Sequence, residues 1–144
     1  MRPDPFDLSR FTAAQARVYS VALEELRAGL KVSHWMWFIF PQFEGLGRSG
    51  TSRRYAIRSE DEARAYLEHP VLGPRLVECS DALLGHEGRS ASAIFGSPDD
   101  MKLRSSMTLF ELVAPPESVF ARVLDRYFAS ERDPITLDLV RARK

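Results

Sequence analysis

The sequence predicts an all-α fold, a compact single-domain bundle of six or seven short helices. Apolar residues recur at helical spacing in most segments, and helix start and stop signals punctuate the chain. No segment sustains the strict apolar–polar alternation of a half-buried strand. The 144 residues suit one domain, read here as residues 1–144. A content of 44% hydrophobic and 28% charged residues is ordinary for a globular protein.

The first helix is expected from about Leu8 to Ala28. Phe11, Ala14, Val18, Ala22 and Leu26 form its apolar stripe, Asp7 or Ser9 can cap it, and Gly29 stops it. Ser59-Glu60-Asp61-Glu62 reads as a capping box opening a helix that Pro70 ends. Leu72, Leu76, Cys79 and Leu83 mark the next helix, which stops at Gly85. A single turn follows from Ser90 to Phe95. Ser97-Pro98-Asp99-Asp100 offers a cap, a proline for the first turn and two acids against the helix dipole. That helix should run to about Ala114. Pro116 should open another, carrying Phe120, Val123, Leu124 and Tyr127, and Asp133-Pro134 a last one reaching Arg143 and Lys144. Residues 34–40 are left open to a short extended segment, because periodicity does not classify short apolar runs.

Charge narrows the function. Formal net charge is zero, which argues against nucleic-acid binding. Residues 1–44 balance, residues 45–58 carry four arginines and no acid, and residues 59–144 carry an acidic excess of four. The lone Cys79 forms no internal disulfide, so a reducing compartment is expected. Residues 1–7 lack the apolar stretch of a signal peptide, and the run Trp35 to Phe40 is far below the roughly 18 residues of a membrane span. A cytoplasmic location away from membrane is the expectation. His34, His69 and His86 show no zinc-ligand spacing. His69 and His86 read as solvated helix-end residues, and Cys79 as inert core.

Both tryptophans lie in His34-Trp35-Met36-Trp37-Phe38-Ile39-Phe40-Pro41-Gln42. Trp35, Met36, Phe38 and Ile39 read first as core. His34 and Gln42 bound this run. If buried they need partners, and His34 reads as either a structural histidine or a group for binding or proton transfer. It is the one general acid or base the sequence offers. Gly45 to Tyr55, with Arg53 and Arg54, has an anion site's composition: glycines, hydroxyls and guanidinium forks. It is not a P-loop, and it also reads as a flexible solvated loop. At about 100° per residue, Lys102 and Ser106 fall within an apolar sector of their helix. Lys102 then either pairs internally or snorkels, or faces the negative charge of a ligand.

Several of these segments carry a family resemblance. They are Asp4 to Phe11, Ser33 to Gln42, Gly45-Leu46-Gly47, Arg54 to Ile57, His69 to Leu76 and Phe95 to Phe110, with the Lys-Leu-Arg-Ser-Ser-Met-Thr-Leu-Phe run from Lys102. Together they resemble the bacterial family called domain of unknown function 1810, some members of which bear the name calpastatin. The resemblance implies an all-helical fold and transfers no catalytic residue.

Two functional expectations result. In the first, His34, Trp37, Gln42, Arg53, Arg54, Tyr55, Lys102 and Ser106 form a pocket for a small phosphorylated or nucleotide-like anion, with or without catalysis. In the second, Trp37 and the arginine loop anchor a partner protein, since Trp and Arg are typical hot-spot residues. No cofactor is indicated.

Overall fold

The computed structural model describes residues 3–143. Among them are nine helices: α1 (Ser9–Ala28), α2 (Met36–Ile39), α3 (Gly50–Arg54), α4 (Glu60–Glu68), α5 (Leu72–Leu83), α6 (Ala91–Phe95), α7 (Asp99–Glu111), α8 (Val119–Phe128) and α9 (Pro134–Ala142). The described residues contain no strand, only one isolated parallel bridge between Phe43 and Ile57. None of these helices is long and apolar enough to cross a membrane. The all-α expectation holds. The two additional helices, α2 and α3, each have five residues or fewer, too short for a 3.6-residue period to be read. Residues 36–39, left open to an extended segment, are one helical turn. Lys144, expected at the end of the last helix, lies outside the described residues.

Most helix ends follow from local chemistry. The cap of α1 is neither Asp7 nor Ser9. The Asp4 carboxylate accepts from the N–H groups of Leu8 and Ser9 at 2.8 and 3.0 Å. Gly29 closes α1 in the left-handed region, φ 77°. Ser59 accepts from Glu62 N–H at 3.0 Å, as a capping box requires. The Glu62 carboxylate reaches one residue further back, to Arg58 N–H at 3.0 Å. His69, expected in solvent, caps α5 instead: its Nδ1 accepts from Val71 and Leu72 N–H at 3.1 and 3.2 Å. His86 is likewise engaged, with Nε2 2.6 Å from Leu26 O. The cap of α8 is Ser118, which displaces its start from Pro116 to Val119. Pro98 stands at the N-cap of α7 without a side-chain cap bond, and within the first turn Asp100 Oδ1 accepts from Met101 N–H at 2.9 Å. Asp133 caps α9 behind Pro134, as expected.

Packing centres on α7 and α5. Helix α7 packs against α4, α6, α8 and α9, and α5 against α1, α2, α4 and α8. From Leu103 to Phe110 every α7 residue except Arg104 is buried. Its buried polar groups are mostly occupied. Ser105 Oγ donates to Asp133 at 2.8 Å, and Thr108 Oγ1 accepts from Asp133 N–H at 3.0 Å, so α7 holds the start of α9. Phe11, Trp35, Tyr66, Phe110 and Phe120 are among the largest fully buried side chains. Trp35, Met36 and Ile39 are core, as expected, whereas Phe38 is half-buried at the surface. Burial pushes the Cys79 thiol up to about 12, which suits inert core. The first turn of α5 requires glycine where it passes α4, since a Cβ at Gly73 would lie 2.0 Å from Leu67 O.

Candidate functional site

Residues 43–57 form a loop whose ends are pinned to each other. Glu44 N–H donates to Ile57 O at 2.8 Å, and Ile57 N–H donates to Gln42 O at 2.9 Å. Inside the loop, Ser49 caps the single turn of α3. Arg10 of α1 binds the return arm. Its guanidinium donates to Arg54 O and Ala56 O, both at 2.8 Å, and to Glu62 at 2.7 Å. It also donates to Phe6 O and Asp7 O at 2.6 and 2.8 Å. The Arg10 and Glu62 side chains are 8% and 3% exposed, so this ion pair is nearly dry.

Along this seam lie two adjoining hollows that share Arg10 and Arg54. The larger, about 490 Å³, has an apolar floor of Ala13, Ala14 and Val18 from α1 with Phe38 and Tyr55, flanked by Arg17 and Arg54. The smaller, about 240 Å³, is lined by Asp7, Arg10, Arg54 and Arg58. Phe38 and Tyr55 meet edge to face, ring centroids 4.8 Å apart. The Arg54 guanidinium lies 5.6 Å from the Tyr55 centroid. Arg17 and Arg54 are exposed, and neither has a carboxylate partner among the described residues. Arg58 faces Glu44 at 3.4 Å. The larger hollow therefore combines an aromatic floor with unneutralised guanidinium forks and no carboxylate.

Tyr55 also borders a much smaller cavity of about 10 Å³, lined by Trp37, Gln42, Ser52 and Lys102 with Met36, Phe40 and Phe43. The indole N–H of Trp37 is buried without an acceptor. Lys102 Nζ lies 5.1 Å from the Trp37 ring centroid and 3.2 Å from Asp99. Asp99 also pairs with Lys31 at 2.9 Å, and Lys31 lies 5.1 Å from the Trp35 ring. Two ammonium groups thus share one carboxylate, each against its own tryptophan.

The structure therefore distributes the eight sequence-predicted residues rather than gathering them in one pocket. Arg54 and Tyr55 belong to the large hollow. Trp37, Gln42 and Lys102, again with Tyr55, line the small cavity. Arg53 is exposed and lines neither. His34 is exposed and outside both, so no buried proton-transfer role is built around it. Ser106 is buried with its hydroxyl unpartnered and does not line the cavity. Sequence reasoning missed Arg10, Arg17 and the exposed side of Phe38. The spacing of Arg10, Ala13, Ala14 and Arg17 places them along one face of α1, a signal overlooked because that face overlaps the edge of the core stripe at Ala14. Among the described residues no three His, Cys, Asp or Glu side chains converge as metal ligands.

At the end of α1, Glu25 fixes the 32–35 segment. Burial raises its carboxyl, but hydrogen bonds from the Ser33 hydroxyl, the Ser33 and Val32 N–H groups and the Trp35 indole outweigh burial and hold it at about 2. A carboxyl depressed on folding contributes stability above its unfolded value, and that stability is lost as pH falls through its folded value. Stability should therefore decline between roughly pH 4.5 and 2. Urea midpoints measured across this range should fall less steeply for Glu25→Gln than for wild type. Parallel pH profiles would refute this assignment.

A family profile described as "Protein of unknown function (DUF1810)" matches residues 5–140. Among solved structures, the chain is similar to the conserved hypothetical protein Rv1873 from Mycobacterium tuberculosis, with 51% identity and a TM-score of 0.94. That match covers 96% of this chain and 99% of the other. No curated protein matches.

Proposed function

The chain belongs to the DUF1810 family of proteins of unknown function, and from that premise we propose that it binds a small phosphorylated or nucleotide-like anion in the groove along α1 and the 43–57 loop. One observation carries the proposal: Arg17 and Arg54, without carboxylate partners among the described residues, flank the aromatic floor of Phe38 and Tyr55. A guanidinium fork matches phosphate or carboxylate geometry, and an apolar aromatic floor suits a flat body. A volume of about 490 Å³ is of the size small ligands occupy, roughly 300–1,000 Å³. Arg54 borders both hollows, so it can hold an oxyanion in the polar one while the body lies over Tyr55. No histidine or cysteine lines either hollow, so the proposal is binding, with no assigned reaction.

The burial of the Trp37 indole nitrogen counts against a partner protein docked on that residue, because an interface anchor would present its polar edge outward. A cytoplasmic setting agrees with the single Cys79, buried as a free thiol.

Calorimetric titration with AMP, ADP and inorganic phosphate tests the proposal. At least one nucleotide should bind more tightly than phosphate, because the floor adds contact that phosphate does not use. Arg54→Ala should weaken that binding tenfold or more, in line with about 1.5–3 kcal/mol for hydrogen bonds to charged groups. The fold should be little affected, since Arg10 grips the carbonyl of residue 54 and not its side chain. Equal affinity in Arg54→Ala, or no binding by any of the three compounds, would overturn the reading.

A further inference from the structure

We propose that the small cavity between Trp37 and Lys102 is a separate site for one monatomic anion of the size of chloride, structural in effect and independent of the groove. Its volume of about 10 Å³ is far below the 490 Å³ of the groove and suits a single small ion or water. Four of the lining residues carry hydrogen-bond donors, Trp37, Lys102, Ser52 and Gln42, with the Ser52 hydroxyl also paired to Ser49 Oγ at 2.8 Å. The indole N–H is buried and has no acceptor among the described residues, and buried donors are almost always paired.

Charge favours an anion over a neutral water. Among the described residues, Lys102 is the only ionised one lining the cavity. The carboxylate it touches, Asp99, is shared with Lys31, and the side chains of Lys31, Asp99 and Lys102 are only 7%, 19% and 25% exposed. One carboxylate between two ammonium groups leaves a positive excess in a poorly hydrated place, where charge interactions are strong. An ion that only accepts hydrogen bonds satisfies the indole and the ammonium together without having to place protons of its own. Bound there, it joins α2 through Trp37, the 43–57 loop through Ser52, and α7 through Lys102. It should therefore stabilise the fold by mass action.

The test compares melting temperatures of the intact protein in sodium gluconate and sodium chloride at matched ionic strength. Wild type should gain several degrees in chloride, saturably, and bromide should substitute. Lys102→Met should lose the chloride–gluconate difference. A crystal grown in bromide should show one anomalous peak within bonding distance of Trp37 Nε1. The chloride comparison on wild type needs no variant, so a poorly folding Lys102→Met would leave the test intact. Equal melting in the two salts, a difference that persists in Lys102→Met, or no halide peak in the cavity would each overturn the proposal and leave a water there. Nucleotide binding in the groove should be unchanged in Lys102→Met, which separates this site from the other.

Discussion

Arg10→Met should destabilise the protein by about 3–5 kcal/mol, the range for breaking a buried ion pair on one side. Five hydrogen bonds converge on the Arg10 guanidinium, from the chain before α1, the return arm of the loop, and Glu62 of α4. Methionine fills much of the volume but leaves the Glu62 carboxylate buried, with only Arg58 N–H as a remaining partner. The carbonyls of residues 6, 54 and 56 lose their donors as well. Urea unfolding followed by far-UV circular dichroism gives the loss directly. Arg10→Met/Glu62→Leu should recover part of it, because removing both charges also removes their desolvation cost. A loss below about 1 kcal/mol would mean that water replaces the guanidinium and that the seam is wetter than its 8% and 3% exposures indicate.

Phe110→Ala should have an effect of similar size for a different reason. The ring is fully buried and lies 5.2 Å from Tyr66 and 6.0 Å from Phe120, centroid to centroid. It joins α7 to α4 and α8 at the middle of the core. Truncating a buried phenylalanine costs about 3–5 kcal/mol, combining lost transfer energy with the cavity left behind. For a domain of this length that corresponds to a fall in Tm of roughly 10 °C or more. Thermal unfolding of Leu112→Ala provides the contrast. Leu112 lies two residues on and is exposed, so its truncation should stay within about 0.5 kcal/mol. Comparable losses in the two variants would contradict the central place assigned to Phe110.

The helical fold was legible because long helices carry both a period and punctuation. In α1 the apolar spacing and Gly29 mark the body and the stop, and in α9 Asp133-Pro134 marks the start. Short elements were not legible for the same reason in reverse. Helix α2 has four residues and therefore no period. Some caps were missed because their identity depends on tertiary reach. Asp4 reaches over Asp7 to Leu8 and Ser9, and His69 serves as an acceptor, a role its residue type does not announce.

The site was legible in part. Lys102 inside an apolar sector has a consistent explanation, since it pairs with Asp99 and lies over Trp37. The Asp99 carboxylate, read as a helix-start acid, also bridges two lysines. The composition of the loop identified Arg54 and Tyr55. It could not show that α1 supplies the other half of the groove through Arg17, Ala13 and Val18. That pairing joins positions about forty residues apart, which the packing of the return arm against Arg10 and of Tyr55 against Phe11 brings together.

The way Arg10 holds the loop has an evolutionary consequence. It grips residues 54 and 56 through their carbonyl oxygens, and the bridge at Phe43 and Ile57 is likewise made of backbone groups. Every residue type except proline supplies both backbone groups, and a carbonyl comes with all of them. Exposed side chains between those anchors, such as Arg48, Thr51 and Arg53, can therefore be exchanged with little penalty to the scaffold, whereas Ser49 caps α3, Tyr55 packs against Phe11 and Phe38, and Gly47, whose added Cβ would meet Ser52 at 2.3 Å, must keep its room. The loop behaves as a cassette. Such exposed positions can be rewritten while the helical frame is inherited unchanged.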